Sequence, residues 1–514
     1  MTRIGVLLLI LLIARAHADP VSHALAMKAG FDAPMVTAVY ATALSFMEPR
    51  TLDPVPVPQL TLWGLRGLTA LDPDLTTDLF EGKLRLVGAG RVLFIETPPA
   101  QPTPALWATA AVRLSSVAAE ESAAVRQAGT RGIVQSFFDE LFNHLDPYSR
   151  YVGPTDARED RARRNGRAGL GLTLTRRGAA ILAETAVEGG PAALAGVRPG
   201  DTILAVDGQQ LRGNEAVEAE RLIAGPEGTG VTLTWRSRNG RLHTARLARA
   251  MVPPETVFAA REHDMLVLRV SGFNYSTASH LADALTDGLA GPHPPAGIVL
   301  DLRSNRGGLL RQAVSATDSL LPAGVVAYTL GRDPDANHIW RSAPGQLAED
   351  MPIVVLVDGR TASAAEVMAA ALADRGRAVV VGSATLGKGL VQTIAPLPDG
   401  GELFVTWSRI LAPLGWPLQG LGVLPQVCTS LGGEALHRQL TALAAGTQPM
   451  AAEIDAERSA RAPLPAASIV AIRRACPAAG GNEEDMQAAQ VLIDNPAAYA
   501  AALLPPLRDA AAVQ

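Results

Sequence analysis

Ser363 and Lys388 stand 25 positions apart in TASAAEVMAAALADRGRAVVVGSATLGKGLVQ, residues 361–392. A serine hydroxyl is a weak nucleophile at neutral pH and needs a proton acceptor within hydrogen-bond reach. A lysine can serve when its amine is neutral, and burial favours that form because desolvation penalises charge. Leu386, Leu390 and Val391 supply an apolar setting for Lys388, and Gly387 and Gly389 let backbone approach it closely. The carboxamide of Gln392 can hold the amine without adding the negative charge that would keep it protonated. Two other readings compete. Ser363 can be a plain helix N-cap ahead of an Ala-rich run, and Gly382, Gly387 and Lys388 fit a GxxxxGK phosphate loop. The phosphate loop fails at Gly389, where a Ser or Thr should meet the magnesium ion, and at residues 390–394, which read as strand and not helix.

A third element adds an anion site. IVLDLRSNRGGLL, residues 298–310, begins as an apolar buried strand ending in Asp301, and Gly307 and Gly308 follow where the chain must turn sharply. Backbone amides there can form an oxyanion hole for acyl transfer, an effect worth about 3 kcal/mol per donor. There is no GxSxG elbow, and none of the nine histidines lies in an HExxH spacing. A histidine triad, a zinc peptidase and a resident cofactor are therefore not expected, and His144 reads as a helix-end residue.

The second informative stretch is GLGLTLT, residues 169–175. Gly169 and Gly171 let the backbone around Leu170 form a nest of N–H groups for a terminal carboxylate, while Leu170 and Leu172 line a side-chain pocket. A peptide would then add as a strand to a sheet edge. Downstream, residues 191–194 read as a short helix, 203–206 as a strand and Asp207-Gly208 as a tight turn.

Taken together, these motifs resemble the carboxy-terminal processing proteases, serine peptidases of the periplasm and thylakoid that use a Ser/Lys dyad. The likeness is carried by LDPYSRYV at 145–152, the peptide-binding module at 166–250, VSGFNYSTASHLADAL at 270–285, DLRSNRGG, TASAAE, GSATLGKGLVQ, and GVLPQV at 422–427. The resemblance implies Ser363 as nucleophile, Lys388 as general base and Gln392 as the residue that positions the lysine. It also implies the amides of Gly307, Gly308 and Ala364 as oxyanion hole, a PDZ module that recruits unstructured protein C-termini and gates the site, and a crotonase-like ββα core. An activating adaptor is a further possible partner. Asp374 sits where the family often has an acidic residue; the competing reading is a helix-end surface charge beside Arg375 and Arg377. Arg306 and Gln426 depart from the proline and aspartate common at those places, which bears on loop geometry and substrate preference.

Composition frames these readings. The chain has 514 residues, 48% of them hydrophobic, enough for several domains and ample core. A net charge of −5 without single-sign blocks gives no reason to expect nucleic acid. The cluster Arg158, Arg161, Arg163, Arg164 and Arg167 contains Glu159 and Asp160 and reads as a solvated helix. At the N-terminus, Arg3, an apolar run over 4–13 and Ala16-His17-Ala18 read as a secretory signal peptide. The run is short for a bilayer, which needs roughly 20 residues, so a retained anchor is the lesser alternative and the bacterial periplasm the expected compartment. Two cysteines in an exported chain, Cys428 and Cys476, predict a disulfide stabilising by up to about 4 kcal/mol; two separate buried thiols are the competing reading.

The expected architecture is multidomain α+β: signal peptide 1–18, helical domain 19–110, a helical segment 111–164 packing on the core, PDZ domain 165–250, α/β peptidase core 251–432 and a helical C-terminal region 433–514. Within the core, strands at 265–270, 298–302, 353–357 and 378–381 alternate with helices at 277–289, 309–320 and 362–373. The function expected is an exported serine endopeptidase that recognises C-terminal tails. The alternative is a PDZ adaptor on a degenerate peptidase fold.

Overall fold

The structure, a computed structural model, describes residues 30–211 and 216–505; the expected signal peptide lies outside them. The chain divides into two compact units: one formed mainly by residues 54–151 with the preceding helix, the other by 152–394 and 400 onward. No helix among the described residues is long and apolar enough to cross a membrane.

In the first unit, helices Ala33–Met47, Val57–Arg66, Pro104–Glu121 and Ala123–Asn143 pack on one another, and the buried Tyr40 ring of the first stacks on Phe137 of the last at 3.9 Å and meets Phe138 edge-on. Pro104–Glu121 buries Trp107, Ala111 and Leu114 and packs against Ala33–Met47, so residue 110 is not a packing boundary. The stretch expected to be helical also carries an antiparallel sheet, Leu75–Phe80, Lys83–Gly88 and Arg91–Glu96 in that order. Its two turns are Glu81-Gly82 and Ala89-Gly90, all at positive φ, as tight hairpins require. Neither carries the Asn-Gly or Asp-Gly signal that betrays such turns in sequence. His144 ends its helix as expected, stacked on Trp63 at 4.7 Å and bonded to Glu140.

The second unit contains the peptide-binding module and the core. The module's main sheet runs Leu242–Ala248, Gly230–Arg236, Thr202–Val206, Ala180–Ala186, Leu172–Arg177, which leaves Leu172–Arg177 at an edge. Pro191–Leu194 is a short helix, and Asp207 and Gly208 turn at φ 46° and 79°. The core sheet has the order Val257–Glu262, Met265–Val270, Gly297–Asp301, Ile353–Val357, Val379–Gly382, Val427–Cys428, antiparallel in the first pair and parallel thereafter. Parallel strands covered on both faces read as continuous apolar runs, and every residue of Gly297–Asp301 and Ile353–Val357 is buried. Helices Thr277–Leu289, Leu310–Asp318 and Ala364–Asp374 connect them. A second sheet, absent from the expected succession, runs His338–Ser342, Gly324–Gly331, Glu402–Leu411, Leu390–Pro396.

Two further expectations need correction. In helix Pro154–Asn165, Arg161 and Arg164 do not simply face solvent: they grip buried Glu402 at 3.0 and 2.7 Å, and Arg164 lies over the Phe404 ring. Asp374 is no surface charge. It is buried at the end of helix Ala364–Asp374 and accepts from Trp416 Nε1 at 2.8 Å and Arg458 Nε at 3.0 Å. Burial pushes its carboxyl up to about 6 despite the Arg458 charge. Cys428 and Cys476 are joined in a disulfide that ties the last strand of the core sheet to the C-terminal region.

Candidate active site

Ser363 stands immediately before helix Ala364–Asp374, with φ 58° and ψ −119°. A non-glycine residue there is strained by about 1–3 kcal/mol and persists only where the surroundings fix it. Strand–turn–helix elbows use such a turn to lift a nucleophile clear of the backbone. What fixes it is Glu366, one helical turn on, whose Oε2 accepts the Ser363 N–H at 2.6 Å. The same oxygen accepts the Lys388 N–H at 2.9 Å, while Oε1 accepts from Gly387 N at 2.6 Å and from the Thr385 hydroxyl. One fully buried carboxylate thus holds the backbones of Ser363 and Lys388 together. Burial pushes its carboxyl above the ordinary range and the four donors pull the other way. Glu366 is not among the residues expected at the site, although the Ser-x-x-Glu spacing of a capping box marks it in the sequence.

Glycines set the close packing. A Cβ added to Gly389 would fall 2.1 Å from Gln419 N, and one on Gly387, at φ 83°, 3.0 Å from the Gly420 backbone. A loop at 418–420 therefore lies directly on the lysine segment, bonded through Gly420 N to Gly387 O and through Gly389 N to Gln419 Oε1. Lys388 is half-buried, and Leu386, expected as part of its apolar setting, is 52% exposed, whereas Leu390 is buried and Val391 half-buried. The Gln392 carboxamide donates to Leu390 O at 3.1 Å and to Thr406 Oγ1 at 3.2 Å, anchoring it to strand Glu402–Leu411.

Gly307 lies against the serine: an added Cβ would come within 2.9 Å of Ser363 Cβ and 3.0 Å of Ala364 N. Its amide, however, already donates to Asn305 Oδ1 at 2.8 Å, so of the three expected donors it is the one committed elsewhere. Asn305 is fully buried and donates in turn to Val270 O. Gly308, at φ 145°, touches Phe273, whose carbonyl a Cβ would meet at 2.1 Å. Arg306 is exposed beside this turn, and Gln426 binds Val380 through Oε1 at 2.7 Å, within the core sheet. Among the described residues no group of three or more His, Cys, Asp or Glu side chains could hold a metal.

In the peptide-binding module, Gly171 has φ 72°, and its carbonyl and that of Leu170 are taken by Val187 N and Ala192 N. Gly169 is paired with Ala250 in a two-stranded ladder. The Leu170 side chain is 1% exposed inside the module's core, so it does not line an open pocket as expected; half-buried Leu172 is left to do so. The exposed edge strand is capped by a side chain: Glu220, on helix Ala216–Ile223, accepts the Leu174 N–H at 2.9 Å.

Comparison with known proteins agrees with this layout. Residues 264–429 match peptidase family S41, and residues 183–237 match a PDZ domain. Fold and matches define a multidomain α+β peptidase with a PDZ domain. A carboxy-terminal-processing protease of Bartonella bacilliformis is 35% identical over 300 residues, covering 57% of this chain and 69% of the relative. A probable CtpA-like serine protease of Staphylococcus aureus is 34% identical over 289 residues, 55% of this chain and 57% of the relative. Among solved structures, a photosystem II D1 C-terminal processing protease aligns with a TM-score of 0.35 at 25% identity, covering 74% of this chain and 97% of that one. The chain belongs to the carboxy-terminal-processing protease family.

Proposed function

We propose that the protein is an exported serine endopeptidase that takes up proteins by their C-terminal tails and cleaves them through an acyl-enzyme on Ser363. The observation that carries the reading is the shared grip of Glu366 Oε2 on the Ser363 and Lys388 amides, at 2.6 and 2.9 Å, which serves residues distant in sequence at one point in space. In this mechanism neutral Lys388 Nζ takes the Ser363 hydroxyl proton as Oγ adds to the scissile carbonyl carbon. The oxyanion is met by the amides of Gly308 and Ala364; that of Gly307 joins only if Asn305 Oδ1 releases it. Collapse breaks the C–N bond, with the Lys388 proton passing to the leaving amine. Lys388 then deprotonates a water that hydrolyses the ester. Gln392, tied to Thr406, orients the lysine side chain from strand Leu390–Pro396.

Recruitment is assigned to the PDZ edge strand Leu172–Arg177, where a tail would add as a strand with its carboxylate near Gly169–Leu172 and its last side chain by Leu172. Glu220 must leave Leu174 N for this to happen. Export to the periplasm is supported by the leader-like residues 1–18, and the disulfide suits an oxidising compartment. The test is cleavage of casein, and of a folded carrier with and without an unstructured apolar tail, by wild type, Ser363→Ala and Lys388→Ala. The wild type alone should cleave, and the tailed carrier faster than the untailed one. Equal cleavage by all three would remove the dyad; cleavage by none would favour a binding adaptor.

A further inference from the structure

The C-terminal region has no assigned role, yet one of its segments touches both loops that carry the proposed dyad. The first of these, following strand Ile353–Val357, leads to Ser363; its Gly359 N–H donates to Ala479 O at 2.7 Å, and Asp358 Oδ2 accepts from Gly481 N at 3.3 Å. The second loop follows strand Val379–Gly382 and leads to Lys388. There the Ser383 hydroxyl donates to Ala479 O at 2.9 Å and accepts from Ala479 N at 3.0 Å. Three residues before Ala479, Cys476 is covalently tied to Cys428 at the end of the core sheet. Three residues before that, Arg473 ends helix Ala466–Arg473 and reaches inward.

Arg473 Nη2 donates to Thr385 O at 2.8 Å, and Nη1 donates to Leu421 O. Thr385 is the residue whose hydroxyl donates to Glu366 and accepts from Val423 N. Gly422 lies beneath the guanidinium, with room for no side chain: an added Cβ would fall 2.8 Å from Arg473 Nη1 and from Thr385 O. The positive charge is half-buried and acts on two buried carboxylates, Glu366 and Glu457, the latter holding Leu424 N at 2.8 Å. A rigid fork with two donors is what spanning two carbonyls on separate loops demands, and a lysine cannot reproduce it.

We propose that Arg473 is a positioning residue for the Ser363/Lys388 pair, delivered to the lysine loop by a C-terminal segment that the Cys428–Cys476 disulfide pins to the core. It acts through Thr385 and Glu366, and touches neither substrate nor reacting atoms. The segment fixes the separation of the two catalytic loops, because the same few residues bind both. The inference rests on the dyad reading above.

The experiment measures kcat and KM on casein, with thermal unfolding in parallel, for wild type, Ser363→Ala, Arg473→Met, Arg473→Lys and the double variant Cys428→Ala/Cys476→Ala. Arg473→Met should lose at least tenfold in kcat with KM within twofold, while remaining folded at the assay temperature. Arg473→Lys should recover part of the loss, because one ammonium reaches one of the two carbonyls. The cysteine double variant should fall several-fold in kcat, less than Arg473→Met, since the Ser383 and Gly359 bonds to Ala479 remain. An Arg473→Met kcat within twofold of wild type, or a fall that only follows the loss of folded protein, overturns the proposal. An inactive wild type, or one matched by Ser363→Ala, overturns instead the dyad reading beneath it.

Discussion

The candidate active site and the PDZ edge hold their backbone amides in opposite ways. At the centre, a carboxylate with no solvent exposure takes three amides and a hydroxyl, and glycines leave no room for a side chain. At the PDZ edge the amide of Leu174 is held by Glu220, an exposed residue on a short helix. A buried polar group incurs its full desolvation cost when its partner is removed, whereas water can replace an exposed partner. On the proposed function the contrast is a division of labour: the site proposed for catalysis is held by bonds that cannot be exchanged, and the edge proposed to accept a tail is held by one that can.

The sharpest way to break that contrast is Glu366→Gln. Its amide group would face N–H donors, leaving at least one buried amide unpaired at about 1–3 kcal/mol each. Two such losses amount to about a hundredfold in kcat on casein, with binding of a C-terminal peptide to the PDZ unchanged; a variant within threefold of wild type would show that the carboxylate is incidental. Gly308→Ala should cost at least about tenfold, because its Cβ would collide with the Phe273 carbonyl and shift the anion site. PDZ binding measured by fluorescence anisotropy should again be untouched, and a parallel loss there would mean that the two regions are not independent.

A pH series tests the buried acids around the core. Asp374 is raised to about 6 by burial, so between roughly pH 4 and 6 the native state binds more protons than the unfolded chain. Stability should therefore fall as pH rises through that window, by as much as about 3 kcal/mol from this group. Glu366 and Glu457, also raised by burial, slope the same way. Urea unfolding from pH 4 to 7 should show a shallower decline for Asp374→Asn, and an unchanged slope would contradict the assignment. The smallest effect is expected at the PDZ edge. Glu220→Ala should tighten peptide binding by about two- to tenfold, the worth of one exchangeable hydrogen bond; weaker binding would make Glu220 a contact for the tail rather than a cap.

Legibility in the sequence followed the locality of the signal. Met265–Val270, Thr277–Leu289 and Ile353–Val357 matched the expected bounds because apolar runs and helical spacing are properties of neighbouring residues. The sheet at Leu75–Glu96 was missed because Glu-Gly and Ala-Gly turns lack the usual side-chain signature. At the candidate site, Ser363, Lys388 and the glycines stood out by type and spacing, and the structure pins the two backbones at one carboxylate. Asn305 occupying the Gly307 amide, Leu170 turning inward and Arg473 reaching Thr385 were not readable. Each depends on which way a side chain points across a fold, and no spacing rule encodes that.

In the proposed mechanism Ser363 carries the acyl group and Lys388 generates the nucleophile. The most direct measurement is rapid acid quench of wild type mixed with a tail-bearing substrate, followed by mass spectrometry of the peptide that carries Ser363. A transient mass increase equal to the amino-terminal fragment of the substrate less one water is expected on that peptide, with no adduct and no cleavage in Ser363→Ala, and adduct formation slowed at least about a thousandfold in Lys388→Ala. An adduct on any other residue, or cleavage undiminished in Ser363→Ala, would contradict it.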